Sequence, residues 1–561
     1  MSILFYAEPV LSLLFSILLI IKNASSLAVT AFILGAAYSL WTAFCIFSFF
    51  KKKTVRDMFI MRKTMEYVPY IFMACFIISR AVQTGQDRSV LDAILAVYWF
   101  ALVIYNRVIL FRLKDKRLPK YFPELPAIPK KKHSLISEIL DWADSILQAA
   151  CVVLLFTVFV LQLYVIPSES MVQQFMIGDR VAGFKVAAGP TFPLSSFRFP
   201  QIYNYKRGDV VIIRNPHYED DPNNELKFFT SQLVQYLTLT MVNINKDENG
   251  KIKADPLVKR IVGLSGEKLM LVDGVLYIKK AGEKDFKVFD ESAYAVWDLS
   301  KLPQSSLKYV KDVKMNTEDL NRLQSVEAWR ARLDFDEAEK EALALIKKMK
   351  EIKSKPDKVF SAKDFLSKGQ YLVTQMARDN EAIASKILTT DGGLMWFENF
   401  LTSWKKSAEK NSYNLYEMRN AQLNVLIKLG FGKLLVRNAE LYKANVSDAV
   451  FSSDAERQAI INELGEYLYY LALSSQRNMD EFPKGEEEYI PENCYFMMGD
   501  NRFNSTDMRH EYQYHLEALN KNDAMSMMFV TNVAPRYIHS SRMLGTVNLI
   551  IFPRARFGLV R

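Results

Sequence analysis

Cysteine and histidine are both scarce in this chain, and their scarcity excludes much. Only 4 cysteines occur in 561 residues. Cys45, Cys75 and Cys151 lie inside apolar runs, and Cys494 stands alone in the polar part. That spacing gives neither a disulfide framework nor a zinc site. There are 5 histidines, with no His-Glu-x-x-His, and no phosphate-binding glycine loop is present. No metal and no other cofactor is therefore expected. Long apolar runs are also missing from most of the chain: they are confined to residues 1–166, while 167–561 reads as a water-soluble polypeptide. The overall 50% hydrophobic and 24% charged residues, close to a globular average, hide this division. A wholly soluble or disordered protein is excluded. The net charge of +10, from 72 Lys+Arg against 62 Asp+Glu, first suggests nucleic acid. Much of the excess, however, lies in short segments between apolar runs, so membrane topology explains it better and no nucleic-acid partner is expected.

A membrane-crossing helix needs about 20 apolar residues. Five segments are expected spans: Leu4–Ile21, Leu27–Phe50, Val68–Ile78, Val90–Phe111 and Ile146–Ile166; the third is short and reads alternatively as a re-entrant or interfacial segment. The first is not a cleavable leader, because it lacks a basic start and carries Glu8-Pro9. The loop 51–66 holds Lys51, Lys52, Lys53, Arg56, Arg62 and Lys63, and the loop 112–145 includes Lys130-Lys131-Lys132. The links 22–26 and 79–89 carry only Lys22, Arg80 and Arg88. Basic and poor loops alternate, which places the N-terminus and both basic loops in the cytoplasm and everything after Ile166 outside.

Beyond Ile166 the pattern shifts to short alternating runs. Arg180–Ala187, Asp209–Arg214, Leu257–Leu264 and Lys268–Lys280 read as strands, and Cys494–Met498 and Thr546–Phe552 as further, buried strands. Asp273-Gly274 marks a tight hairpin inside the fourth of these. Two insertions interrupt this β-rich core. Asn224–Asn245 has helical apolar spacing and reads as an amphipathic or core helix. Residues 315–480 are rich in Ala, Glu, Lys and Leu, as in Ala328–Lys353 and Asp454–Leu473, and are punctuated by Gly392-Gly393 and Gly430–Gly432. The expected organisation is four spans over 1–145, a last anchor at 146–166, a first part of the β core at 167–314, a helical insertion at 315–480 and the rest of the core at 481–561. The insertion brings no candidate site residue and is expected to be dispensable for chemistry at a peptide bond.

Four segments stand out in the polar half. They are Pro167-Ser168-Glu169-Ser170-Met171, Arg207-Gly208-Asp209-Val210-Val211, Lys259-Arg260 followed by Gly263–Gly266, and Gly499-Asp500-Asn501 followed by Ser505, Asp507 and Arg509. Singly, each has an ordinary reading as a turn, a cap or a solvated edge. Their joint order directly after a membrane exit resembles the type I signal peptidases, membrane-anchored serine proteases of the Ser/Lys class. The resemblance covers the last span, the four segments and the closing strand near Gly545–Phe552, but not residues 1–145 or the insertions.

That resemblance implies a multi-span α-helical anchor followed by a mainly β catalytic domain carrying a large helical insertion. It implies Ser170 as nucleophile and Lys259 as general base, with Ser505 hydrogen-bonded to Lys259. Asp507 and Arg509, with Asp500 and Arg260, would hold the site together, Ser168 would supply an oxyanion hydroxyl and Met171 would contact substrate. The implied reaction is endoproteolytic removal of signal peptides from exported preproteins, at the outer face of the cytoplasmic membrane. The expected partners are those signal peptides, membrane lipid and the secretion machinery. The chain departs from the family pattern at Gln173-Gln174-Phe175 and at Ser265-Gly266-Glu267, which bears on the shape of the substrate groove and leaves the dyad untouched.

The chemistry is coherent on its own terms. A serine hydroxyl needs an adjacent base. A lysine can be that base only when neutral, so its ordinary pKa must fall by roughly two units, about 3 kcal/mol. Leu257, Val258, Ile261 and Val262 supply apolar surroundings in sequence. Two other readings compete: an inactive membrane scaffold of the same fold that binds a partner through the insertion, and a Ser-His protease using His510 or His217.

Overall fold

The computed structural model describes residues 2–21, 25–81, 89–126, 135–218, 222–238, 241–247, 250–311, 315–355, 357, 371–405 and 413–560. The links with Lys22 and Arg88, and the run Lys130-Lys131-Lys132, lie outside the described residues. The apolar runs fold as helices α1 (Ser2–Ile21), α2 (Ser26–Lys52), α3 (Val55–Arg80) and α4 (Val90–Arg112). A short α5 (Leu118–Tyr121) precedes α6 (Leu135–Phe159). Side chains of Ser25 and Thr54 cap α2 and α3 by accepting from the Ala28 and Asp57 N–H groups. Helices α1 and α4 run antiparallel, since the Tyr98 hydroxyl donates to the Leu11 carbonyl and the Tyr105 hydroxyl to that of Leu4. Phe15, Leu19, Phe72, Phe76, Leu95 and Trp99 share the bundle core.

Two expectations about the spans change. Among the described residues, four helices are long and apolar enough to cross a membrane: α1, α2, α4 and Glu138–Phe159 of α6. Helix α3 is not one of them, although it packs within the bundle, because Arg56, Asp57, Arg62, Lys63 and Glu66 load its first half. The expected loop 51–66 is thus helical from Val55 on, and Val68–Ile78 is the apolar remainder of α3. The charges are accommodated by partners at that end: Arg62 pairs with Asp115 at 2.8 Å, and Lys63 pairs with Asp144 of α6. Likewise the last anchor begins near Leu135 and stops at Phe159, seven residues short of Ile166. Leu161–Val165 instead forms strand β1. An apolar run of this length looks the same in sequence whether it ends a helix or fills a buried strand.

Strand β1 pairs antiparallel with β2 (Arg180–Phe184). Strands β3 (Val210–Ile213), β4 (Leu257–Gly263), β5 (Glu267–Val272), β6 (Val275–Lys280) and β7 (Lys287–Phe289) follow. Between β3 and β4 the helix α7 (Pro222–Leu237) is shorter than the Asn224–Asn245 expectation. After β7 come α8 (Gln304–Leu307), α9 (Thr317–Arg332), α10 (Phe335–Ile352), α11 (Val373–Thr389), α12 (Gly393–Thr402), α13 (Leu415–Lys443), α14 (Asp448–Ser453) and α15 (Ala455–Arg477). The chain then returns to strands β8 (Met479–Phe482), β9 (Cys494–Met498), β10 (His510–Ala518), β11 (Met528–Val533), β12 (Ile538–His539), β13 (Met543–Phe552) and β14 (Gly558–Leu559). The main sheet has eight strands in the order β1-β2-β13-β3-β4-β9-β12, with β14 on β13. Strands β7-β6-β5-β8 form a second sheet, and β10 and β11 a hairpin. The tight β5–β6 turn at Asp273-Gly274 has both residues at positive φ, as its sequence requires.

The segment Ala328–Lys353 is broken at Leu333-Asp334, where Asp334 caps α10. Gly430 and Gly432 do not punctuate anything: they lie inside α13, where a Cβ would press on Leu464 and Leu401. The inserted helices are no free appendage. Their core includes Leu519, Met527 and Phe529 of the β10–β11 hairpin. Lys428 of α13 and Asp523 of the hairpin turn form an ion pair that solvent does not reach, joined by Ser403 and Asn424. Asp523→Ala would strand the Lys428 charge. It should cost about 3–5 kcal/mol, the usual penalty for breaking a buried pair, read as a fall in the thermal midpoint of the full chain in detergent.

Candidate active site

Lys259 is the third residue of β4, a strand held between β3 and β9. Central placement in a curled sheet buries its side chain to 2% exposure. The loop that follows β1 turns at Pro167 and brings Ser170 over that strand. Lys259 Nζ stands 2.9 Å from Ser170 Oγ. Burial pushes the Lys259 amine down to about 8, against the opposing pull of Asp507 and Asp500. Both carboxylates are matched by guanidinium groups. Arg260 grips Asp500 through two bonds of 2.8 and 2.7 Å, and Arg509 grips Asp507 through two of 2.9 Å. Burial would raise the Asp507 carboxyl, but Arg509 beside it and the Gly499 N–H it accepts hold it well below the usual range.

The Gly499-Asp500-Asn501 turn closes directly on the serine loop. The Asn501 N–H donates to the Ser170 carbonyl at 3.1 Å, and its side-chain amide donates to the Glu169 carbonyl at 3.1 Å. A Cβ at Gly499 would sit 2.5 Å from that Ser170 oxygen and 2.2 Å from Ser505 Oγ, so only glycine permits the approach. The structure thus gathers Ser168, Ser170, Lys259, Ser505, Asp507 and the two ion pairs around one point.

Two expected details differ, for Ser505 and for Met171. The Ser505 hydroxyl is buried and hydrogen-bonds to no described residue, so the bond to Lys259 is not made: Lys259 is turned to Ser170 instead. The Ser168 hydroxyl, expected beside the nucleophile as an oxyanion donor, donates to Ser170 Oγ at 3.3 Å. Met171 is only 1% exposed and packs with Tyr164, Ile166 and Phe175, so its side chain belongs to the core and cannot line a groove. Ser170 lies eleven residues beyond the end of α6, with β1 between them.

Other residues at the site carried no signal in sequence. The buried Glu169 carboxylate accepts from the Lys311 N–H at 2.6 Å and from the Asn504 amide, tying the serine loop to the segment that leads into the inserted helices. The C-terminal turn of α15 supplies two carbonyls: Gln476 accepts from Arg509 at 2.6 Å, and Ser475 is 3.0 Å from His510 Nε2. The inserted helices, expected to be dispensable for the chemistry, thus touch the site at one point, where the end of their last helix meets Arg509 and His510. The same turn engages His510, one of the two histidines that a Ser-His arrangement would use. His510 is buried, its ring nitrogen faces Ser475, and burial pushes it down to about 4. His217 stacks on Tyr512.

The sequence model of the signal peptidase, peptidase S26, family matches residues 139–380 and 433–530, more than half of the chain. The chain belongs to this family. The match includes Ser170, Lys259 and the Asp500–Arg509 segment. Signal peptidase I of Rickettsia bellii (strain OSU 85-389) is 25% identical over 146 residues, covering 25% of this chain and 38% of that protein. Signal peptidase I of Buchnera aphidicola subsp. Baizongia pistaciae (strain Bp) is 24% identical over 163 residues, covering 27% of this chain and 49% of that protein. The chain thus aligns with less than half the length of these relatives, and it carries more apolar helices ahead of the β domain than a single anchor requires.

Asp507 pulls the Lys259 pKa upward, so Asp507→Asn should move the Lys259 titration below about 8. The Nζ resonance of labelled lysine, followed against pH, would read this; a titration moving upward would contradict the electrostatic account.

Proposed function

We propose that the chain is a signal peptidase I that cleaves signal peptides from exported preproteins with a Ser170–Lys259 dyad. The observation that carries this reading is the 2.9 Å contact between a buried lysine amine and the serine hydroxyl. In the proposed mechanism Ser170 Oγ attacks the scissile carbonyl carbon while its proton passes to neutral Lys259 Nζ. The Ser170 N–H and the Ser168 hydroxyl, turned away from Oγ, donate to the oxyanion. Collapse breaks the peptide C–N bond, and the lysine ammonium returns the proton to the leaving amine. A water then gives a proton to Lys259 and its hydroxyl to the acyl carbon, the bond from that carbon to Ser170 Oγ breaks to release the acid product, and the lysine ammonium returns the proton to Oγ. Asp507, Arg509, Asp500 and Arg260 position Lys259, and the buried Ser505 hydroxyl fills the space beside Gly499.

We further infer that the catalytic domain lies on the outer side of the cytoplasmic membrane. Arg62 meets Asp115, and Lys53 meets Glu124, so the basic segments after α2 and after α4 share one end of the bundle, away from the β domain. The positive-inside rule makes that end cytoplasmic. Compartment-specific reporters fused after Lys53 and Lys280 should give opposite signals; a cytoplasmic signal at Lys280 overturns both the orientation and the export role.

Ser170→Ala and Lys259→Ala should each abolish turnover of a preprotein with Ala at the first and third positions before the cut. Lys259→Arg should do the same, since guanidinium stays protonated. Wild-type kcat/KM should climb with pH and level off above about 8, because Lys259 is a base only after losing its proton. A folded Lys259→Ala protein with near-normal rates would refute the dyad.

A further inference from the structure

The β domain is not tethered to the membrane by α6 alone. The hairpin at 190–199, between β2 and β3, reaches into the outer end of the α1–α4 bundle. Phe192 is 0% exposed and packs its ring at 5.1–5.9 Å against Phe76, Trp99, Phe100 and Phe159. The Ser195 and Ser196 hydroxyls donate to the Asp92 and Ser89 carbonyls at the start of α4, at 3.2 and 3.1 Å. That helix start is itself tied into the bundle, because Asp92 pairs with buried Arg80 at 2.6 Å and Arg80 bonds the Leu19 carbonyl of α1. The other end of the hairpin is fastened to the β domain. Arg198 donates to the Gly189, Ala188 and Ser540 carbonyls at 2.7, 2.6 and 3.0 Å. A second support comes from α7, whose Phe229 packs on the same bundle core.

We propose that helices α1–α4 form a base that fixes the tilt of the catalytic domain, and so select which peptide bond of a membrane-held substrate reaches Ser170. The inference rests on the peptidase reading above and concerns where the chain cuts, not whether it does. The 5 residues of β1 place about 16 Å between the end of α6 and the Ser170 loop. With α6 as the sole attachment, a tilt of about 20° at Val160 would displace that loop by about 5 Å, more than the ~3.3 Å spanned by one residue of extended substrate. Attachment at the α6–β1 junction, at the 190–199 hairpin and at α7 removes that freedom. A substrate whose apolar segment is anchored in the bilayer would then present one bond at the nucleophile, whereas a short soluble peptide would slide freely into register.

The full chain in liposomes tests this, with two probes: a membrane-anchored preprotein carrying Ala-x-Ala sites staggered along one linker, and a short soluble peptide with a single such site. Wild type should favour one staggered site by about tenfold over its neighbours, and Phe192→Ala should lower that preference to about threefold or less, with peptide kcat/KM kept within about twofold. Phe100→Ala, from the bundle side of the contact, should do the same. Unchanged site choice in both variants overturns the proposal. So does a parallel loss of peptide turnover, since the bundle would then be supporting the site itself rather than aiming it. A wild-type chain that cuts neither probe would count against the peptidase reading instead.

Discussion

A lysine amine deprived of water beside a serine hydroxyl is the constraint on which the rest of the site depends. Removing Lys259 from solvent favours its neutral form, while Asp507 and Asp500 pull its pKa back upward. Each of them is neutralised at short range by a bidentate arginine, Arg260 on Asp500 and Arg509 on Asp507. Paired charges act weakly at a distance, whereas a bare buried carboxylate would hold the amine protonated. The two ion pairs therefore serve the neighbouring amine as much as they serve stability, and buried pairs in general contribute little net stability.

That arrangement in turn explains why the inserted helices are woven into the β domain. Arg509 needs acceptors for the guanidinium edge that Asp507 leaves open, and the last turn of α15 offers the Gln476 carbonyl. The next residue, Arg477, bonds Glu327 of α9 at 2.6 Å and stacks on Trp297, which meets Phe503 within the same catalytic segment. Helix ends carry unpaired carbonyls that attract cations, so the end of α15 is a natural brace for this corner. The catalytic domain is thus supported from two directions, by the inserted helices behind the Asp507–Arg509 pair and by the membrane bundle beneath the 190–199 hairpin.

Much of this was legible in the residues. The strands at Arg180, Val210, Leu257 and Cys494 are legible as short apolar runs, and the Asp273-Gly274 turn by its turn chemistry. The dyad candidates were found by the order of short segments, not by any one of them. The hidden parts share a physical reason: they depend on what a residue meets in space. Leu161–Val165 is apolar in either a helix or a buried strand, and only its pairing with β2 decides. Gly430 and Gly432 look like breaks but are contact points between α13 and its neighbours. Ser505 reads as a partner for Lys259, yet the amine has turned to Ser170. Phe192, Phe197 and Phe199 carry no local pattern that announces docking on the N-terminal helices.

The most direct test of the central claim is labelling of Ser170 by a small serine-reactive electrophile, located by peptide mapping and timed across a pH series. The account predicts a single adduct on Ser170, whose rate rises with pH through the Lys259 ionisation near 8 and vanishes in Lys259→Ala. Labelling of Ser170 at an ordinary, pH-independent serine rate, or equal labelling with and without Lys259, would contradict it.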